Sequence, residues 1–132
     1  MLDNYLVIMV DDDKDERDYF HRLFAKRVNK LDHNFLTFAS GTEFTKKVYD
    51  LMRNESRPLC ILLDYEMPGL NGKQVIEFLR TSEDNILRDS LVFLLSSSPT
   101  HEEILLEKGC RPTGFLRKSV KPIDLSTALT SL

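Results

Sequence analysis

The sequence predicts an α/β fold, built as a doubly wound five-stranded parallel sheet with helices on both faces. Two apolar runs carry this prediction, and each ends abruptly on aspartate: Leu6–Val10 on Asp11, and Leu59–Leu63 on Asp64. Continuous runs of this kind, rich in Val, Ile and Leu, are typical of strands buried on both faces. The third observation is a regular alternation of such runs with helical patterns, which favours βαβ crossovers and a parallel sheet.

Five βα units follow one another along the chain. Strands are predicted over residues 6–10, 34–39, 59–63 and 91–95, with a short fifth strand around 114–116. Apolar residues at helical spacing predict helices over 14–31, from Ser40 to Met52, around Val75 to Leu79, over 100–109 and near Asp124 to Leu132. Two of them open with predicted capping boxes, Ser40–Glu43 and Thr100–Glu103. With five strands, the common doubly wound order is 2-1-3-4-5, the flavodoxin-like arrangement.

Length and composition bound the function. The 132 residues fit one domain, 1–132, and the net charge of -3 gives no global footprint for nucleic acid or an anionic membrane. The amino terminus does not read as a signal peptide, and no apolar run approaches the length of a membrane span. Neither Cys60 nor Cys110 belongs to a CxxC or Cys/His arrangement. We therefore expect a cytoplasmic protein that recognises its partners locally, without nucleic acid or membrane.

The order 2-1-3-4-5 brings the aspartates together. Strands one and three become neighbours about 4.8 Å apart, so the ends that carry Asp11, Asp12 and Asp64 converge. Ligands of open α/β sheets bind outside these carboxyl ends, and gathered carboxylates suit a hard divalent cation. Ser96, the first polar residue beyond strand four, and Lys118, two residues beyond the run 114–116, are expected to border the same pocket.

A simpler interpretation is that each aspartate ends a strand and caps the next helix, since Asp is a common residue in turns and N-caps. It accounts well for Asp13, which we predict to cap the first helix. It accounts poorly for two strands that both end on aspartate and for the turn that follows Asp64.

The segment 64–72, which reads DYEMPGLNG, resembles the D-x-x-M-P-x-x-x-G signature around the phosphoacceptor aspartate of response-regulator receiver domains. The pair Asp11-Asp12 is similar to the acidic pair that follows strand one in that family. Ser96 resembles its hydroxyl residue at the end of strand four, and Lys118 its lysine at the end of strand five. The resemblance spans nearly the whole chain, and the layout is similar to stand-alone, chemotaxis-type regulators without a DNA-binding domain.

This resemblance implies a two-component response regulator. Asp64 would accept a phosphoryl group from a histidine kinase or a histidine phosphotransfer protein, with Mg²⁺ as the cofactor. Ser96 and Lys118 would contact the phosphoryl oxygens. The implied metal ligands are Asp11, Asp12, Asp64 and the backbone carbonyl of Glu66. The domain would not be a classical enzyme, because it would catalyse only its own phosphorylation from phosphodonors and the slow loss of that group.

The resemblance also implies a switch through Ser96 and Phe115. In the family the hydroxyl moves toward the phosphoryl group and the strand-five aromatic turns inward behind it. This movement biases the face formed by the helix over 100–109, the fifth strand and the last helix. A downstream protein, which the sequence does not name, or a second copy of the chain would bind there.

The sequence departs from the family pattern in strand five. Receiver domains usually have lysine followed directly by proline, whereas residues 117–122 read RKSVKP. Lys118 lies three residues after Phe115, at the predicted end of the fifth strand, and is predicted to contact the phosphate. Lys121 carries the proline but lies three residues further on, and it is the alternative. The last helix is short, so either the face it forms is reduced or the chain was trimmed.

Two rival functions belong to other classes. A haloacid-dehalogenase-like phosphohydrolase also uses an aspartate after a strand, but it needs a second aspartate two residues on, where this chain has Glu66. An interaction module with the same fold would signal without phosphorylation. The acidic pair together with Asp64, Ser96 and a lysine candidate argues against that module.

Overall fold

The computed structural model of the protein describes residues 4–28, 35–65, 67–96, 112–118 and 120–132. Its elements in chain order are β1 Leu6–Val10, α1 Lys14–Val28, β2 Phe35–Phe38, α2 Gly41–Met52, β3 Leu59–Asp64, α3 Gly72–Arg80, α4 Asn85–Arg88, β4 Leu91–Ser96, β5 Gly114–Arg117 and α5 Pro122–Thr130. All strand pairs are parallel, and the five strands form one sheet in the order β2-β1-β3-β4-β5. The predicted fold class and strand order are confirmed.

The core consists of two apolar layers on opposite faces of the sheet. Alternate residues of β1 and β3 point to opposite faces, and both layers are closed by helices. The first layer packs sheet residues such as Ile8, Ile61 and Leu63 against α2 and α3. The second packs Met9 and Leu62 against α1 and α5. Every residue of β1 and β3 is therefore buried, which explains why residues 6–10 and 59–63 are continuously apolar instead of alternating.

Several element boundaries differ from the prediction. The ladder of β3 and β4 extends one residue further, to Asp64 and Ser96, because Asp64 still pairs with Leu95. The last helix begins at Pro122 and not near Asp124, since proline suits the first helical position. The short helix α4 was not predicted; Asp84 caps it by accepting a hydrogen bond from the Leu87 N–H at 3.0 Å.

Some predictions fall outside the described residues. They are the helix over 100–109 with its cap, Glu66 and Cys110, and the end of the first helix beyond Val28. Cys60 is buried as a free thiol in the second layer, and burial raises its pKa to about 12. In the described part of the chain, no helix is long and apolar enough to cross a membrane.

Candidate functional site

Three carboxylates converge beyond the ends of β1 and β3. Val10 pairs with Leu63, so the next residues of both strands, Asp11 and Asp64, lie side by side. One carboxylate oxygen from each of Asp11, Asp12 and Asp64 lies within 4.8 Å of the other two. Asp11 and Asp64 are buried and Asp12 is exposed. The structure therefore brings together the acidic residues that the sequence predicted to converge.

Asp11 is buried without full compensation. Its Oδ1 accepts a hydrogen bond from the Asp13 N–H at 2.9 Å, but its Oδ2 has no hydrogen-bond partner in the described part of the chain. Burial raises the pKa of Asp11 to about 6, and the charges of Asp64 and Asp12 add to that rise. The Asp13 N–H and the charge of Lys118 act in the opposite direction. A buried carboxylate oxygen with no partner is costly, and a cation would relieve that cost.

This donor set fits a hard divalent cation. Mg²⁺ prefers oxygen ligands and is usually held by one or two carboxylates together with several waters. The buried oxygens of Asp11 and Asp64 supply the protein side, and the exposed Asp12 leaves that side of the cluster open to solvent. The arrangement can thus hold a cation that keeps part of its hydration shell.

A lysine approaches the same cluster from β5. The Nζ of Lys118, the residue after β5, lies 3.1 Å from Oδ1 of Asp64. Burial alone would lower the pKa of Lys118, but the hydrogen bond to Asp64 and the charges of Asp64, Asp11 and Glu16 raise it on balance. The ammonium is therefore held in its charged form. Lys121 is exposed just before α5, and its backbone N–H donates to Asp124 Oδ2 at 2.8 Å.

Ser96 and Phe115 lie on one face of the sheet. Ser96 is the buried last residue of β4, and Phe115 stands opposite Leu94 in the β4–β5 ladder. Ser96 follows Leu94 by two residues, so its side chain points to the same face as those of Leu94 and Phe115. Phe115 is half-buried and packs on the first apolar layer. Residues 97–111, which include the helix predicted over 100–109, are outside the described part of the chain.

The turn after Asp64 is held by a buried methionine and contains a glycine with positive φ. Met67 is buried in the first apolar layer. Gly69 has a φ of +78°, a conformation that glycine adopts at no steric cost. The turn also borders an open cleft of about 510 Å³ that is lined by Tyr65, Met67, Pro68 and Asn71.

Two contacts organise the loop between β1 and α1. Asp13 Oδ1 accepts hydrogen bonds from the Asp15 N–H at 2.8 Å and the Glu16 N–H at 3.3 Å, which confirms the predicted cap. Arg17 was not predicted: its Nη1 donates to the backbone oxygen of Asp11 at 2.8 Å. The sequence holds no signal for that contact, because α1 opens with five successive charged residues.

Comparisons with known proteins agree with this geometry. A family model for the response regulator receiver domain matches residues 7–130. The protein named "Putative two-component response regulator ARR13" of Arabidopsis thaliana is 28% identical over 120 residues, which are 90% of this chain and 19% of that protein. The sensory/regulatory protein RpfC of Xanthomonas campestris is 27% identical over 126 residues, 96% of this chain and 16% of that protein.

The chain spans less than a fifth of the length of these two relatives. Among solved structures, the bacteriophytochrome response regulator RtBRR is 25% identical with a TM-score of 0.71, and the match covers 96% of this chain and 76% of that one. Aspartate phosphorylation by histidine kinases, generally with Mg²⁺, is the common property of receiver domains. The match over nearly all of the described elements shows that the chain belongs to the response regulator receiver domains, the signalling domains of two-component systems.

Proposed function

We propose that Asp64 accepts a phosphoryl group from a histidine kinase or a histidine phosphotransfer protein, and that the modified domain changes its affinity for a partner. One observation carries this proposal. Asp64 is a buried carboxylate with Lys118 Nζ at 3.1 Å on one side and oxygens of Asp11 and Asp12 within 4.8 Å on the other. Both the positive charge and the acidic pair that phosphoryl transfer to a carboxylate requires therefore surround Asp64.

The proposed reaction is a substitution at phosphorus. A carboxylate oxygen of Asp64 forms a bond to phosphorus, and the P–N bond of phosphohistidine, or the P–O bond of acetyl phosphate, breaks with its electron pair going to the leaving group. An ionised carboxylate needs no general base. The main obstacle is repulsion between two anions, and Lys118 offsets part of it. Ser96, at the end of β4, would donate a hydrogen bond to a phosphoryl oxygen.

Asp11, Asp12 and Asp64 would hold the Mg²⁺ that receiver domains generally use. The backbone carbonyl of Glu66 joins this set only by resemblance, because Glu66 is outside the described residues. The bound cation would neutralise charge between nucleophile and phosphoryl group. Asp11 Oδ2, buried and without a partner in the described structure, is the atom that supports such a site most directly.

The proposed output is a change on the face that contains β5 and α5. Ser96 would bind the phosphoryl group, and Phe115, on the same face of the sheet, would turn further into the space behind it. Phe115 has no hydroxyl to desolvate, so its inward position costs little. A protein target or a second copy of the chain would bind the changed surface with altered affinity. We place the domain in the cytoplasm, where ATP supplies the phosphoryl group of histidine kinases.

The test is to incubate the wild-type chain with acetyl phosphate, with and without Mg²⁺, and to record the intact mass over time. We expect one phosphoryl group per chain, only with Mg²⁺, sensitive to hydroxylamine and lost slowly. Steady release of phosphate from p-nitrophenyl phosphate would instead indicate a phosphohydrolase. No adduct under any condition would favour a module that signals without phosphotransfer.

A further inference from the structure

Arg17 contacts the peptide bond that joins two residues of the acidic cluster. Its Nη1 donates to the backbone oxygen of Asp11 at 2.8 Å. That oxygen belongs to the peptide between Asp11 and Asp12. A peptide unit is planar, so holding its carbonyl also fixes the direction in which the chain enters Asp12.

The neighbouring restraints act on other groups of the loop. The Asp11 N–H donates to the Phe38 carbonyl at 3.1 Å, which continues the β1–β2 ladder, and Asp11 Oδ1 accepts from the Asp13 N–H at 2.9 Å. The first bond fixes the entry to Asp11, and the second joins the Asp11 side chain to the peptide that leaves Asp12. Asp12 is exposed, so packing does little to orient it. The orientation of Asp12 therefore depends on the two peptides that flank it, and Arg17 holds the first of them.

We infer that Arg17 is a positioning residue for the metal site: through the Asp11 carbonyl it aims the Asp12 carboxylate at the point that Asp11 and Asp64 share. This inference rests on the magnesium site proposed above. A residue of α1 would thus contribute to cation binding although it is not itself a ligand. Arg17 does not touch the reacting atoms, so its effect must appear through Asp12.

The charge of Arg17 and its positioning role predict opposite changes in Mg²⁺ affinity when the residue is replaced. A guanidinium next to the acidic loop repels a divalent cation, so charge alone predicts that its removal strengthens Mg²⁺ binding. Positioning predicts that its removal weakens binding, because the residue that orients a ligand typically contributes a factor of about 10–100 to metal affinity. The sign of the change separates the two effects.

The experiment is a calorimetric titration of Mg²⁺ into wild type, Arg17→Met, Arg17→Lys and Arg22→Met. Arg22 is an exposed residue of the same helix, so Arg22→Met removes the same charge without touching the loop. We expect Arg17→Met to bind Mg²⁺ about tenfold more weakly. Arg22→Met should stay within about twofold of wild type, because salt screens an exposed charge. Arg17→Lys can still donate one hydrogen bond and should recover part of the loss.

A second readout needs no metal. In metal-free protein the amide resonances of Asp12 and Asp13 should shift in Arg17→Met, return toward wild type in Arg17→Lys and stay unchanged in Arg22→Met. Equal or tighter Mg²⁺ binding by Arg17→Met would overturn the inference. Failure of wild type to bind Mg²⁺ would instead refute the metal site, and the inference with it.

Discussion

The Nζ of Lys118 lies 3.1 Å from Oδ1 of Asp64, so the proposed nucleophile has a cationic partner before any phosphoryl group arrives. The Asp64 side chain is 4% exposed and that of Lys118 38%, which places the pair at the edge of the core. Breaking such a pair leaves a buried carboxylate beside two others, which is unfavourable. An incoming phosphoryl group would therefore share Lys118 with Asp64.

This relationship predicts different effects for two nearby lysines. Lys118→Met should slow phosphorylation by acetyl phosphate about tenfold or more and weaken the switch that follows, because it removes the cation that offsets developing charge. Lys121→Met removes the same charge from an exposed position before α5 and should leave both nearly intact. Rates of adduct formation by intact mass check this. The reverse pattern would show that Lys121, with its proline, is the phosphate-contacting residue.

Two adjacent aspartates should separate metal binding from helix capping. Asp12→Ala should weaken Mg²⁺ binding by at least about tenfold, because it removes a proposed direct ligand. Asp13→Ala should leave Mg²⁺ affinity nearly unchanged while lowering the free energy of unfolding by about 1 kcal/mol, since Asp13 caps α1. Calorimetric titration and urea denaturation give the two quantities. Equal Mg²⁺ affinity in wild type and Asp12→Ala would refute the proposed ligation.

Asp11 should make the metal-free protein less stable as pH rises. Its pKa is about 6 in the folded protein against 3.8 ordinarily, so between these values the folded state binds more protons than the unfolded state. This group's contribution to the free energy of unfolding therefore falls as pH rises from about 4 to about 6, by up to about 3 kcal/mol.

The neutral variant Asp11→Asn removes this cost and keeps an oxygen that can accept the Asp13 N–H. In Mg²⁺-free buffer at pH 7 we expect its free energy of unfolding to be about 1–3 kcal/mol higher than that of wild type. The difference should shrink toward pH 4, where Asp11 is protonated in the folded protein. Urea denaturation at both pH values measures it. A difference that does not change with pH would show that the Asp11 charge is not responsible.

Gly41 should resist substitution, because α2 begins against the turn that follows Asp64. A Cβ at Gly41 would lie 2.9 Å from the Leu70 backbone oxygen and 2.8 Å from Val75 Cγ2. Alanine gains up to about 1 kcal/mol of helix propensity, but overpacking costs about 1–3 kcal/mol. We expect Gly41→Ala to lower the free energy of unfolding by about 1–2 kcal/mol, as measured by urea denaturation. The control Thr42→Ala changes an exposed neighbour and should stay close to wild type. A Gly41→Ala protein that is more stable than wild type would show that Leu70 and Val75 move to accommodate the added Cβ at little cost.

Much of the fold follows from the sequence because its central strands are buried on both faces. Continuous apolar runs identify β1 and β3. A strand with one face in solvent would instead alternate apolar and polar residues. The strand order then brings Asp11, Asp12 and Asp64 together. Pro122 was an available signal for the start of α5, since proline suits the first helical position.

Other features depend on contacts that no sequence pattern encodes. The short helix α4 spans one turn, too little to show a period. Arg80 contacts its end, where Nη1 donates to the carbonyls of Arg88 at 3.0 Å and Ser90 at 2.7 Å. Arg17 is one of eight successive charged residues, 11–18, and only the folded loop selects it to contact Asp11. Arg80 and Arg17 are both long side chains that donate to backbone carbonyls. Hydrophobic periodicity does not predict such hydrogen bonds.

Asp64 is proposed to be the sole phosphorylation site. Asp64→Asn keeps the shape of the side chain and removes the nucleophile's charge, and Asp13→Asn is the control for an aspartate outside the cluster. Each is incubated with Mg²⁺ and acetyl phosphate, and the intact mass is recorded. We predict one phosphoryl adduct on wild type and Asp13→Asn and none on Asp64→Asn, whereas the same adduct on Asp64→Asn as on wild type would contradict the account.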